Sequence, residues 1–185
     1  MATRLNMGKV QPEAYEVMFA MNKYIGISSI DKLHREMIKI RASQINGCAY
    51  CVNAHSRDAL KLGETPRRIF LMSVWREAGD VFTEEEQLLL AMTEEITLIH
   101  QHGLSDALYE KAITLFGEEK TAQVIMAIIT INSWKDWGRV EYEAGGVTYL
   151  LTNVSITSSC QMYLRFNPSA IEKMYYIRAS QVTKK

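Results

Sequence analysis

The chain has 185 residues, 48% of them apolar and 23% charged, with 21 Lys and Arg against 21 Asp and Glu. That length and composition describe an ordinary globular domain large enough to bury a full core. A formal net charge of zero excludes the broad positive field that gathers nucleic acid or an anionic membrane surface, so neither is expected as a partner.

The amino end, MATRLNMGKVQPEAY, contains no apolar stretch and no small-residue cleavage site, so it does not read as a secretory signal. From Pro12 to about Trp137 the pattern predicts consecutive helices. PEAYEVMFAMNKYIG begins with proline and ends with glycine, the usual asymmetry of a helix. DKLHREMIKIRASQING places Leu33, Met37 and Ile40 on one stripe and stops at Gly47. A third helix is expected from about Ala49 to Leu62, closed by Gly63. A fourth is expected to start with Thr65 as cap and Pro66 at its first position, and to run to Gly79. Thr83 and Glu86 form a capping box before the amphipathic run EEEQLLLAMTEEITLIHQHG. SDALYEKAITLFG and EEKTAQVIMAIITINSW complete the set; the apolar stretch Val124–Ile131 is far too short to span a membrane.

Beyond Gly145-Gly146 the composition changes. GGVTYLLTNVSITSSCQMYLRF carries a single charge, Arg165, and is rich in Thr, Val, Ser and Tyr, which favours extended structure such as a hairpin. NPSAIEKMYYIRASQ reads as a short last helix capped near Asn167 or Ser169. The expected organisation is an all-α helical domain over 1–137 and a divergent extension over 138–185.

Between Gln44 and Glu64 lie two of the three cysteines and one of the four histidines. Without a secretory route the thiols are expected reduced, in the cytoplasm, and a close pair there points to catalysis or metal binding. Cys48 falls at the predicted start of a helix and Cys51 in its first turn, where free N–H groups and the helix dipole favour a thiolate. Two residues between the sulfurs permit a small, exchangeable disulfide ring. His55 lies one turn beyond Cys51 on the same face, in reach to take the thiol proton directly or through water. Glu36 edges the Leu33/Met37/Ile40 stripe, either as a satisfied boundary residue or as part of a relay.

The stretch EMIKIRASQINGCAYCVNAH resembles the core motif of the alkylhydroperoxidase D-like proteins within the carboxymuconolactone decarboxylase superfamily. Glu36, Cys48, Cys51 and His55 stand at the family's spacing, and the likeness extends from about Arg4 to Trp134. The resemblance implies an alkylhydroperoxidase D-like helical bundle that reduces hydroperoxides. Cys51 would be the peroxidatic thiol, Cys48 the resolving thiol, and His55 with Glu36 the proton relay. A dithiol such as a lipoyl group on another protein would restore the thiols, with no haem, flavin or metal. Relatives assemble as trimers or hexamers. Ala49 and Tyr50 stand where the best-studied branch carries a further histidine, and Lys135-Asp136-Trp137 replaces the Asn-Arg pair that usually follows the tryptophan.

The same residues admit other chemistry. The motif could exchange dithiols without reducing peroxide. Cys48, Cys51 and His55 could bind zinc, with His34, Cys160 or Glu36 as fourth ligand, or the thiols could simply pack inside a structural oligomer. Cys160 reads as incidental. His100 and His102 read as helix-end residues that complement the dipole, and Trp75, Trp134 and Trp137 as core or subunit contacts.

Overall fold

A computed structural model describes residues 6–141 and the strand residues 154–156 and 162–164. It divides into two compact units, 1–143 and 144–185. The first is all-α, as expected. Its helices are α1 (Met7–Val10), α2 (Pro12–Gly26), α3 (Lys32–Ile45), α4 (Ala49–Lys61), α5 (Pro66–Leu71), α6 (Glu84–Thr97) and α7 (Asp106–Glu141).

Side-chain caps set the helix starts. Asp31 Oδ1 accepts from the Leu33 amide at 2.7 Å ahead of α3, and the Thr65 hydroxyl accepts from the Arg68 amide at 3.3 Å ahead of α5. At α6 the capping box is complete: Thr83 Oγ1 accepts from the Glu86 amide at 3.3 Å, and Glu86 Oε2 from the Thr83 amide at 2.8 Å.

Three expectations need correcting. The helix after Thr65 does not continue to Gly79; α5 gives way to 3-10 turns at Met72–Glu77 and Gly79–Val81, with a kink at Val74 (φ −126°, ψ 29°). That break lets Met72 and Trp75 both reach the core. A short α1 precedes α2, capped by Asn6. His100 and His102 lie beyond the end of α6 in a turn, where His102 Nδ1 is 2.8 Å from the Gly103 carbonyl. The break expected at Gly117 is present: α7 is interrupted there at φ 75°, a conformation glycine adopts without steric cost.

Two apolar clusters flank the α3/α6 pair. On one side Met37 and Ile40 of α3 and Leu90 of α6 pack with Ala59, Ile69, Met72, Trp75 and Phe82. On the other, Ile38 and Leu88, Leu89 and Met92 pack with Ile25, Ile30 and four residues of α7. The expectation that the tryptophans serve as packing residues holds: Trp75 is buried, and Trp134 and Trp137 meet Phe19 and Tyr15 of α2 at ring-centroid distances of 5.5 and 4.7 Å. No helix among the described residues is long and apolar enough to cross a membrane.

In the second unit, β1 (Val154–Ile156) and β2 (Met162–Leu164) pair antiparallel, Val154 facing Leu164 and Ile156 facing Met162. These are strands where extended structure was expected. Cys160 and the helix expected near Asn167 or Ser169 lie outside the described residues.

One carboxylate ties the middle of the bundle together. Glu94 of α6 accepts from Arg41 Nε of α3 at 2.8 Å, from Trp75 Nε1 at 2.8 Å, and from Arg76. Burial pushes its pKa up, but the three donors outweigh burial and hold it below the ordinary glutamate value. Glu94→Ala strands the guanidinium of Arg41 and the indole N–H of Trp75. It should cost about 3 kcal/mol of unfolding free energy, read from the urea midpoint.

Candidate functional site

The site is built on the elbow between α3 and α4. The α3 C-terminus closes with two bonds, from the Gly47 amide to the Gln44 carbonyl (3.2 Å) and from the Cys48 amide to the Ser43 carbonyl (3.0 Å). These satisfy two terminal carbonyls and require a left-handed residue, supplied by Gly47 at φ 63°. The chain emerges with Cys48 as the N-cap of α4, and its sulfur accepts from the Cys51 amide at 3.3 Å. Gly47 therefore fixes where the first sulfur stands, and the helix fixes the second. The two sulfurs are 2.22 Å apart, a bonded pair, with Cα atoms 5.4 Å apart.

His55 and Glu36 meet across the same elbow. His55 Nδ1 lies 2.9 Å from Glu36 Oε2, while Lys39 Nζ donates to Glu36 Oε1 at 2.7 Å. Glu36 is only 8% exposed. Burial raises its pKa, and the bonds and charges of His55 and Lys39 more than offset that, leaving it below the ordinary value. A carboxylate held ionised can only accept, so the hydrogen of this bond sits on Nδ1 and Nε2 is the ring nitrogen left to exchange a proton. That is the tautomer of a base oriented by an acid partner.

The four expected residues thus form two coupled pairs on one elbow, Cys48 with Cys51 and Glu36 with His55. Two participants escaped sequence reasoning. Lys39 stands three residues after Glu36, a spacing that could have flagged it. Asp58 stands three after His55, and ligand-type atoms of Glu36, His55 and Asp58 all lie within 4.8 Å of one another. This trio, rather than a cysteine set, is the group of metal-ligand type among the described residues. Both carboxylates already hold an ammonium, Lys39 on Glu36 and Lys61 on Asp58 at 2.6 Å, which opposes a dication. The zinc arrangement through Cys48 and Cys51 is not what the geometry contains, because those sulfurs are bonded to each other. His34, named for that site, has Nδ1 3.6 Å from Glu85 Oε1 instead.

Comparison with known proteins gives the family. The uncharacterized protein YdfG of Bacillus subtilis (strain 168) is 40% identical over 134 residues, which is 72% of this chain and 90% of that protein. The sequence model of the carboxymuconolactone decarboxylase family matches residues 12–94, which span the whole elbow. The chain belongs to the carboxymuconolactone decarboxylase family. Within that family it is alkylhydroperoxidase D-like. A crystal structure from Agrobacterium tumefaciens, of a protein of unknown function proposed to be the antioxidant defence protein AhpD, is 36% identical with a TM-score of 0.69, covering 74% of this chain and 93% of that one. An uncharacterized peroxidase-related protein from Silicibacter sp. TM1040 is 22% identical with a TM-score of 0.61, covering 69% and 68%, a likeness of fold.

The depressed Glu36 pKa has a definite consequence for acid stability. Its folded value lies below its unfolded one, so its contribution is present above the unfolded value of about 4.3 and is lost as pH falls through the folded value. The stability gap between wild type and Glu36→Gln, read from urea midpoints, should therefore be widest above about pH 5 and shrink toward about pH 3. A gap independent of pH would mean that Glu36 is not the ionised acceptor.

Proposed function

We propose that this protein is a cytoplasmic, thiol-dependent peroxidase that reduces hydroperoxides through Cys51 and Cys48. The observation that carries this reading is the bonded Cys48–Cys51 pair at a helix N-terminus, with the hydrogen-bonded Glu36–His55 pair on the same elbow.

In the reduced enzyme, His55 accepts the Cys51 thiol proton on Nε2, directly or through a water, and the resulting imidazolium is stabilised by Glu36. The thiolate attacks the terminal peroxide oxygen. The O–O bond breaks, the alcohol leaves with a proton, and Cys51 becomes a sulfenic acid. The Cys48 thiolate then attacks the Cys51 sulfur, water leaves after protonation of the hydroxyl, and the disulfide forms. A dithiol such as a lipoyl-bearing protein returns two electrons and two protons. Val17 and Tyr24, seven residues apart on α2 and both exposed, support assembly as a homo-oligomer; a trimer or hexamer is the assembly that the family resemblance suggests.

A second reading has one observation in its favour. The residues between the cysteines, Ala49 and Tyr50, are exposed and offer no imidazole, so the same dithiol could serve disulfide exchange alone.

The deciding experiment mixes reduced protein with one equivalent of an organic hydroperoxide and follows the disulfide by mass spectrometry while peroxide is assayed. Peroxide loss matched by Cys48–Cys51 formation, repeated on adding dihydrolipoamide, is the expected result. Thiols left untouched by peroxide would leave the exchange reading. His55→Ala should slow the oxidation about a hundredfold at neutral pH. Above about pH 9.5, where Cys51 ionises unaided, the loss should shrink to within about threefold.

A further inference from the structure

The Glu36 carboxylate is shared between two helices. Its Oε2 lies 2.9 Å from His55 Nδ1 on α4, and its Oε1 accepts from Lys39 Nζ at 2.7 Å, three residues along α3. An ion pair at that spacing on an open helix face contributes little. This one differs at its acid end, because the Glu36 side chain is 11% exposed against 30% for Lys39. The carboxylate is therefore poorly screened, and the charges beside it decide its behaviour.

Glu36 acts on His55 in two ways at once. Its hydrogen bond places a hydrogen on Nδ1 and leaves Nε2 to exchange a proton. Its charge, left unopposed, also draws an extra proton onto the pair. Once that proton is bound, Nε2 carries a hydrogen wherever the proton settles. On the ring it makes an imidazolium with hydrogens on both nitrogens. On Glu36 it makes a carboxylic acid that donates to Nδ1, which leaves the ring hydrogen on Nε2. A carboxylate able to orient the base can thus also fill it. An ammonium on the second carboxylate oxygen opposes the extra proton in both cases.

From α4, Asp58 also approaches the pair, with ligand-type atoms of the three residues within 4.8 Å of one another, but Asp58 Oδ1 accepts from Lys61 at 2.6 Å. On α3 and α6, His34 faces Glu85, Arg41 faces Glu94, and Glu86 takes Arg68. In reduced protein the thiols of Cys48 and Cys51 titrate beside the pair. Lys39 is the ammonium that reaches Glu36.

We propose that Lys39 is a positioning residue of the redox site: acting through Glu36, it holds the Glu36–His55 pair one proton short at neutral pH, so that Nε2 is open to the proton leaving Cys51 Sγ. Lys39 thereby sets the low-pH limit of thiol activation. The inference rests on the role of His55 as base proposed above.

The test follows the His55 ring signals by NMR through a pH titration of oxidised, full-length protein, in which neither disulfide cysteine titrates. The His55 resonance is assigned by its absence in His55→Gln. Lys39→Gln keeps a donor for Oε1 and removes the charge, at a half-buried position where such a change should leave the fold intact. The pH at which the pair takes up its proton should rise by about one unit. Lys39→Arg keeps the charge and should restore the wild-type midpoint. An unchanged or lowered midpoint in Lys39→Gln, or an equal rise in Lys39→Arg, overturns the proposal. Lys39→Met gives the same reading if the glutamine variant does not fold. Disulfide formation by tert-butyl hydroperoxide in phosphine-reduced protein reads the same change during turnover. Lys39→Gln should oxidise about tenfold more slowly than wild type on the acid limb and at the wild-type rate above about pH 9.5. A loss equal at every pH would make Lys39 merely structural and overturn the proposal. Wild-type thiols untouched by peroxide would remove the peroxidase reading, and the ring titration would still decide the role of Lys39.

Discussion

A carboxylate brought out of water must be given partners, and Glu36 is the carboxylate around which this elbow is arranged. Left alone in its position on α3 it would take up a proton and cease to orient anything. Lys39, from the same helix, and His55, from the next, keep it ionised. The bond that keeps Glu36 charged is the bond that leaves Nε2 as the free nitrogen of the histidine ring. Electrostatic compensation of the carboxylate and orientation of the imidazole are one interaction seen from its two ends.

The rest of the bundle keeps the two ends in place. Met37 and Ile40 anchor α3 in one apolar cluster and Ile38 anchors it in the other, so rotation about its own axis would uncover core on either side. Arg41, one turn past Met37, reaches Glu94 and locks α3 to α6 by a bond of fixed geometry. On the other side of the elbow the path of the chain is set by Gly47, whose left-handed backbone turns the end of α3 directly into the cap of α4. A side chain with a Cβ would strain that turn and shift Cys48, which is why the glycine belongs to the site although it carries no chemistry.

Much of this was legible because local signals agreed. Proline and glycine marked the ends of α2 and α4, Thr83 and Glu86 announced α6, and the Cys48–Cys51–His55 spacing placed two sulfurs and an imidazole on one helix before any coordinates. What was hidden depends on contacts distant in sequence. Nothing local in MSVWRE forbids an α-helix; the 3-10 turn there answers the need to bury Met72 and Trp75 together while Trp75 reaches Glu94, 19 residues away. Glu36 could be placed at the edge of a stripe, but whether it was a bystander depended on the crossing of α3 and α4. A groove lined by Cys48, Leu60, Ile69 and Phe70 was invisible for the same reason, since α5 supplies a wall that no residue near the cysteines foretells.

Helix α4 buries one residue, Ala59, and no other. The element that carries Cys51 and the imidazole is therefore lightly seated, with Cys51, Val52, His55 and Ser56 only half-buried and Asn53, Arg57 and Leu60 exposed. Replacements at the exposed Asn53 or Leu60 can alter what approaches the disulfide without disturbing the bundle beneath. The helix is an exchangeable face on a separately packed chassis, and its choice of reaction partner can be retuned by editing that face alone.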